Sequence, residues 1–462
     1  MSPQLPPLCF ELPYPGDSER YFNKLRQRHW PVMLDSANTD LAAGRYDIIA
    51  ADPFITLESR GNNTIIRQQD KTEVSSDDPF FLLDHLLKNY PQPASKLPFA
   101  GGVIGYFGYD LGRRIEVLPS TARDAEHIPD MAVGLYDWAV VTDHQQQRCW
   151  LASFAQDPQT RQKWPELITL FNDTNNDGDD QASFRVQGEL RCNLDKKAYK
   201  QAFDRIQHYI REGDCYQVNL AKRFEIEAEG DPWAAYQQLR RQNAAPFSAY
   251  FSTGEVTLMS SSPERLLQVH DRQVETKPIK GTRPRHLTDP EQDRALAESL
   301  QTSLKDRAEN LMIVDLLRND LGKVCQTGSI RVPKPFALES FATVHHLVST
   351  ITGTLADDQS AVTLLRACFP GGSITGAPKL RAMEIIEELE PDRRGIYCGS
   401  IGYIGFDGNM DSNIAIRTLI FSDNRLRFWA GGAIVRDSHV EAEYQEVHDK
   451  AAAMLNLIEE LR

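Results

Sequence analysis

The sequence predicts an α+β fold, because its strand-like runs come in groups between helix-period segments and do not alternate with them one for one. Runs such as "YDIIAADPFITLES" and "GGVIGYFGYDLG" fill the first third, and longer segments with apolar residues at helical spacing mark the rest. At 462 residues the chain exceeds what one compact core normally serves, so one very large domain or two to three smaller ones are expected.

Taken in order, the strand-like runs stop at "FNDTNNDGDDQAS", which is acidic, polar and without apolar period. It reads as a linker or loop over 172–183, between an N-terminal region, 1–171, and a C-terminal region, 184–462. "LDKKAYKQAFDRIQHYIREGD" then predicts a helix stopped at Gly213, and "CYQVNLAKRFEIEAE" a half-buried strand. One long helical pattern runs from about Asp289 to Val324. Another opens at "TGAPKLRAMEIIEELEP" with Pro378 suited to its first turn, and "HVEAEYQEVHDKAAAMLNLIEELR" is the last. "NIAIRTLIF" predicts a strand that carries Arg417.

Composition excludes several classes. Hydrophobic residues make up 41% and charged residues 25%, as in ordinary globular chains. A net charge of −14 argues against a nucleic-acid partner held by a broad basic face, but leaves room for a local basic pocket. The seven cysteines are scattered and never spaced C-x-x-C, which fits a reducing cytoplasm better than a disulfide framework or a cysteine zinc site. No signal-peptide pattern opens the chain and no run of about 18 apolar residues predicts a membrane span.

Several stretches could carry chemistry. Asp306 and Glu309 share one helix face, and Glu443, Glu446 and Lys450 share another. Carboxylates from two helices can meet over a hard cation, although solvated faces give the same spacing. "FPGGSITGAPK" is a glycine-rich loop entering a helix, a setting that offers N–H groups to an anion. Ala377 stands where a phosphate-binding P-loop needs lysine, so a carboxylate is the better expectation. "WAGGAIV" is a second such cluster. Arg417 lies in apolar company and needs a carboxylate partner, His346 reads more often as structural, and Glu264 in "SSSPERLL" reads as a surface turn. Lys280, between isoleucine and glycine in "TKPIKGTRPR", reads by itself as a solvated charge.

Together these stretches resemble the chorismate-binding enzyme family, whose motifs recur here in order from about Leu190 to Arg462. They are "GDCYQVNLAKRF", "SSPERLL", "PIKGTRPR", "KDRAENLMIVDLLRNDLG", "VHHLVSTITG", "FPGGSITGAPKLRAMEIIEELEP", "CGSIGYIGFDGNMDSNIAIRTL" and "EAEYQEVHDK". The N-terminal third is similar to the same proteins through "MLDSA" and "GGVIGYFGYDLGR". The resemblance implies a large two-sheet β-sandwich with helices packed outside, like anthranilate synthase component I.

It also implies chemistry. Anthranilate synthases resemble "PIAGT", whereas members that aminate chorismate at C4 often carry "PIKGT", as here. A lysine at that position can add to C2 of chorismate as the C4 hydroxyl leaves, and ammonia then adds at C4 and expels it. Lys280 becomes the expected nucleophile, and Glu264 the general acid. Isochorismate synthases resemble a water-activating lysine where this chain has Gln217, which cannot serve as a base. By the same resemblance Glu309 and Glu446 would ligate Mg2+ with Glu443 in support, and His346 would lie near the ring. Arg417, Lys450 and the backbone at Gly431, Gly432 and Ala433 would hold carboxylates, with Thr375, Gly376 and Tyr397 lining the pocket. The family usually has glycine where Ala433 stands, so a Cβ there could crowd the substrate. Ammonia would come from a separate glutamine amidotransferase subunit in a transient heterodimer, and pyruvate release would fall to a separate lyase. "MLDSA" and "NAAPFSAY" resemble the tryptophan pocket of anthranilate synthases, which marks Ser36, Pro246 and Phe247. The rivals are an anthranilate synthase component I and a silent subunit that binds chorismate or an amidotransferase.

Overall fold

The computed structural model of the chain describes residues 6–37, 44–173, 183–341 and 344–462. Most of the expected 172–183 linker lies outside the described residues, although Asn172 closes the helix Pro158–Asn172.

Period-two apolar runs pair into two antiparallel sheets of twelve strands each among the described residues. The first sheet runs from Leu8–Leu12 through Val32–Asp35, Phe247–Ser252, Thr257–Ser262 and Arg425–Val435 to Gln217–Gly230 and Phe184–Cys192. The second runs from Ile279–Pro284 and Val344–Thr354 through Arg265–His270, Ser400–Gly405 and Gly102–Phe107 to Lys71–Ser75. Each sheet therefore takes strands from both the N-terminal and the C-terminal halves.

The sheets face each other, with Val32, Ile48, Phe251 and Leu258 of the first packed on Ile104, Tyr106, Tyr136 and Ile401 of the second. Helices Lys196–Glu212, Pro232–Gln242 and Val440–Glu460 cover the outer face of the first sheet through Ile206, Leu239 and Leu457. Helices Leu304–Gly322 and Ala361–Cys368 cover the second through Ile313, Leu317 and Leu364. This is the α+β sandwich expected. Truncating a fully buried leucine such as Leu239 or Leu457 to alanine costs about 2–5 kcal/mol.

Local expectations meet the structure unevenly. Gly213 ends its helix at φ 86°, in the left-handed conformation that glycine tolerates best. The long helix expected over Asp289–Val324 is two helices, Pro290–Thr302 and Leu304–Gly322. Ser303 is extended there and its hydroxyl accepts from the Asp306 N–H, so a cap inside the pattern breaks a periodicity that continues across it. Pro378 stands at the N-cap, just before helix Lys379–Leu389. Arg417 is not in a strand. It sits at φ 50° between strands Met410–Asn413 and Thr418–Ser422.

Candidate active site

Lys280 is placed by the glycine after it. Strand Ile279–Pro284 pairs with Val344–Thr354, and its register shifts between Ile279 and Thr282. Gly281, at φ +83°, makes that irregularity, and a Cβ on it would lie 2.8 Å from Leu300 and 2.9 Å from Asp306. The lysine is thereby turned inward, and Nζ donates to the Ser373 carbonyl at 2.9 Å. The solvated reading of Lys280 does not hold.

Glu264 is buried beside this half-buried lysine. Its Oε1 accepts from the Ser373 hydroxyl at 3.2 Å, and its backbone carbonyl accepts from the Ile414 N–H at 2.9 Å. The surface-turn reading fails here too. Burial lowers the Lys280 pKa, helped by Lys450 and opposed by Glu264, Glu309 and Glu446. Burial also raises the Glu264 pKa, against the pull of Lys280. Desolvation is the largest cause for both, so burial shifts Lys280 toward its neutral amine and Glu264 toward its protonated form.

Ser373 lies in the short turn Gly372–Ile374, which leads to Gly376–Ala377 paired on Gln217 and Val218. Gly376 is required there, since a Cβ would stand 2.1 Å from the Gln217 carbonyl. The buried Thr375 hydroxyl donates to the Gly371 carbonyl, and the Thr375 carbonyl accepts from the Asn219 N–H at 2.8 Å. Asn219 Nδ2 donates to the same Ser373 carbonyl that holds Lys280, at 3.2 Å.

The carboxylates lie beside this frame. On helix Leu304–Gly322, Asp306 is taken up by Arg283, whereas Glu309 has only Lys305, at 3.9 Å, among the described residues. On helix Val440–Glu460, Glu443 is buried and accepts from the Ser438 hydroxyl at 2.6 Å. Its other oxygen, Oε2, is buried with no partner among the described residues. Glu446 pairs with Lys450 at 2.7 Å, and Lys450 also donates to the Gly431 carbonyl at 3.2 Å. Gly431, Gly432 and Ala433 belong to strand Arg425–Val435 itself, opposite Ala221, Leu220 and Asn219. A Cβ on Gly432 would sit 3.4 Å from Glu443 and 3.6 Å from Glu446. Burial raises the pKa of Glu309 and of Glu443, and Glu443 adds to the effect on Glu309. Among the described residues no three His, Cys, Asp or Glu side chains form a closed metal cage. Two open carboxylates, one with an orphaned oxygen, still fit the hard cation that takes one or two protein carboxylates and water.

Arg417 lacks the expected carboxylate partner within ion-pairing distance among the described residues. Burial lowers its pKa against the pull of Glu264, and the guanidinium is left available for a ligand. His346 is buried and hydrogen-bonded to the Thr282 hydroxyl at 2.9 Å. Burial and Arg417 push its pKa down to about 4, so it is neutral at physiological pH. Tyr397 is buried with its ring stacked on Trp429, 5.9 Å between centroids.

Away from this cluster, Pro246 and Phe247 line a cavity of about 290 Å³ with Asp35, Tyr46, Arg265 and Tyr403. Ser36 is turned from it, its N–H and hydroxyl both donating to Asp47. The Asp35 carboxylate is engaged by Tyr236 and Arg240.

Residues 31–456 match the family described as chorismate binding enzyme. The chain belongs to that family. It is 49% identical over 459 residues to aminodeoxychorismate synthase component 1 of Klebsiella aerogenes, covering 98% of this chain and 100% of the relative. It is 47% identical over 463 residues to the protein of the same name in Salmonella typhimurium, at 99% and 100% coverage. The crystal structure of anthranilate synthase component I from Streptococcus pneumoniae superposes with a TM-score of 0.79 at 32% identity, covering 89% of this chain and 92% of that one. The chain is thus an enzyme of the chorismate-binding family, and no described helix is long and apolar enough to cross a membrane.

Sequence reasoning overlooked Ser373 and Asn219 as parts of the site. Both stand inside stretches that carry the family resemblance, but small polar residues in a loop and a strand give no periodic or charge signal.

Proposed function

We propose that this chain makes 4-amino-4-deoxychorismate from chorismate and ammonia, as the first component of an aminodeoxychorismate synthase in folate and para-aminobenzoate synthesis. The observation that carries the reading is Lys280, a half-buried lysine shifted toward its neutral amine, which shares Ser373 with a buried carboxyl shifted toward its protonated form. The names of the relatives most similar to it support the same reaction.

The neutral Lys280 amine adds at C2 of the ring. Glu264 gives its proton to the C4 hydroxyl, which leaves as water, and the ring double bonds shift away from C2 toward C4. Ammonia then adds at C4 and Lys280 departs from C2. Arg417, Lys450 and the backbone of Gly431, Gly432 and Ala433 hold the substrate carboxylates, Thr375, Gly376 and Tyr397 line the pocket, and neutral His346 lies near the ring. Ala433 is not among the residues with positive φ, so its strand backbone suits alanine. Glu309, Glu446 and Glu443 would hold Mg2+, which when bound neutralises and orients the ring carboxylate. Ammonia comes from a separate glutamine amidotransferase subunit. The Pro246–Phe247 cavity near Ser36 would take tryptophan as a bound ligand, which mass analysis after denaturation would detect if retained.

The test is to incubate the purified chain with chorismate, Mg2+ and either ammonium or glutamine, then identify the product by mass and chromatography. The expected product is 4-amino-4-deoxychorismate with ammonium and none with glutamine. Anthranilate from the unaltered chain would overturn the reading in favour of the sibling reaction.

A further inference from the structure

Strand Gln217–Gly230 has two faces. Val218 and Leu220 point into the core beneath the helices of the first sheet. Gln217 and Asn219 point the other way, toward the Ser373 turn. Gln217 is 0% exposed, and neither Oε1 nor Nε2 has a partner among the described residues. Asn219 Oδ1 is likewise buried and unpartnered, while its Nδ2 is fixed on the Ser373 carbonyl. An orphaned buried polar group is costly, and a fold sustains it where a ligand completes the bonds. Three orphaned atoms on one strand face, beside the carbonyl that holds Lys280, make a built polar seat.

We infer that Gln217 and Asn219 seat the ammonia that attacks the ring. A carboxylate is disfavoured as the occupant, because it would meet two acceptor oxygens, Gln217 Oε1 and Asn219 Oδ1. Two neutral acceptors call for a neutral donor molecule that is not to lose its proton to the protein. Ammonia has three N–H donors and one lone pair, so two accepted hydrogen bonds aim the lone pair outward. Neither carboxamide is basic enough to deprotonate water, so the seat gives water no activation.

The inference rests on the proposed function, since the seat serves the second displacement. With Lys280 joined at C2, the ammonia lone pair forms the C4–N bond as the ring double bond shifts and the C2–N bond to Lys280 breaks. The electron pair returns to the Lys280 nitrogen, which takes the proton shed by the new C4 amino group.

The test measures initial rates against ammonium and against chorismate for the unaltered chain, Gln217→Met and Asn219→Ser, with Asn219→Ala as a second removal. Intact mass at limiting ammonium follows the Lys280 adduct, which adds chorismate less water. Each substitution is expected to raise the KM for ammonium about tenfold, one hydrogen bond's worth, while the KM for chorismate moves less than about twofold. The adduct should accumulate in the variants. An unchanged ammonium KM, or an equal rise in both KM values, overturns the seat, and the unmoved chorismate KM excludes misfolding as the cause. An ammonium-specific rise without any adduct in any protein upholds the seat and overturns the Lys280 nucleophile. An unaltered chain inert to ammonium overturns both.

Discussion

Lys280 and Glu264 are joined through a single residue. The Ser373 carbonyl accepts from Lys280 Nζ at 2.9 Å, and the Ser373 hydroxyl donates to Glu264 Oε1 at 3.2 Å. The two side chains are therefore held in one frame, on a turn that the paired residues Gly376 and Ala377 fasten to the strand of Gln217. Because the serine contributes both backbone and side chain, the two bonds can be separated by mutation.

Ser373→Ala keeps the carbonyl and deletes the hydroxyl. We expect kcat to fall about tenfold with little change in the chorismate KM, as for one hydrogen bond lost where the reaction occurs. The hydroxyl lowers the Glu264 pKa, so its removal lets Glu264 keep its proton to higher pH. A pH profile of kcat should accordingly show the descending limb displaced to higher pH in the variant. A limb that stays in place would separate Ser373 from Glu264.

For the unaltered chain the profile should be bell-shaped. The rate rises with pH as Lys280 loses its proton, at lower pH than an ordinary lysine because burial depresses its pKa. It falls as Glu264 loses its proton, at higher pH than an ordinary glutamate because burial raises it. Lys280→Ala should abolish 4-amino-4-deoxychorismate and leave at most anthranilate-type chemistry, since it restores "PIAGT". Unaltered product formation by this variant would refute covalent catalysis.

The fold was legible because period-two and helical apolar patterns report burial directly, and the cap at Gly213 reports a helix end. The break at Ser303 was not, because the apolar period runs on across it and only the hydroxyl bond to Asp306 marks a new start. The acidic side chains of the site were legible as types, yet not as neighbours. Nothing local in "SSSPERLL" says that Glu264 is buried, since that depends on strands and turns distant in sequence. Arg417 misled in the opposite sense. Apolar company suggested a strand and an internal partner, and the structure gives a bend at positive φ with no carboxylate in ion-pairing distance of the guanidinium among the described residues.

Glu443→Gln tests the cation site. The orphaned Oε2 would be replaced by a donor or a weaker acceptor, while the bond from the Ser438 hydroxyl can persist. We expect Mg2+ affinity, measured by calorimetry without substrate, to fall about 10- to 100-fold. Mg2+ binding unchanged in this variant and in Glu309→Gln would remove both residues from the site.

The last prediction concerns Glu126, a buried carboxyl behind the Trp429 ring on which Tyr397 stacks. Trp429 Nε1 donates to its Oε1 at 3.1 Å, and Oε2 is unpartnered. Burial raises its pKa from 4.5 to about 7, although Trp429, Arg223 and Arg427 act to lower it. The folded state thus binds a proton more tightly than the unfolded chain, so its contribution to stability is full below about pH 4.5 and is lost as pH rises through about 7. The loss amounts to roughly 3 kcal/mol. Glu126→Gln retains the acceptor for Trp429 and removes the titration. Denaturant unfolding at pH 5 and at pH 8 should therefore show the variant gaining stability over the unaltered chain at the higher pH. An equal difference between the two proteins at both pH values would mean that Glu126 titrates in the ordinary range.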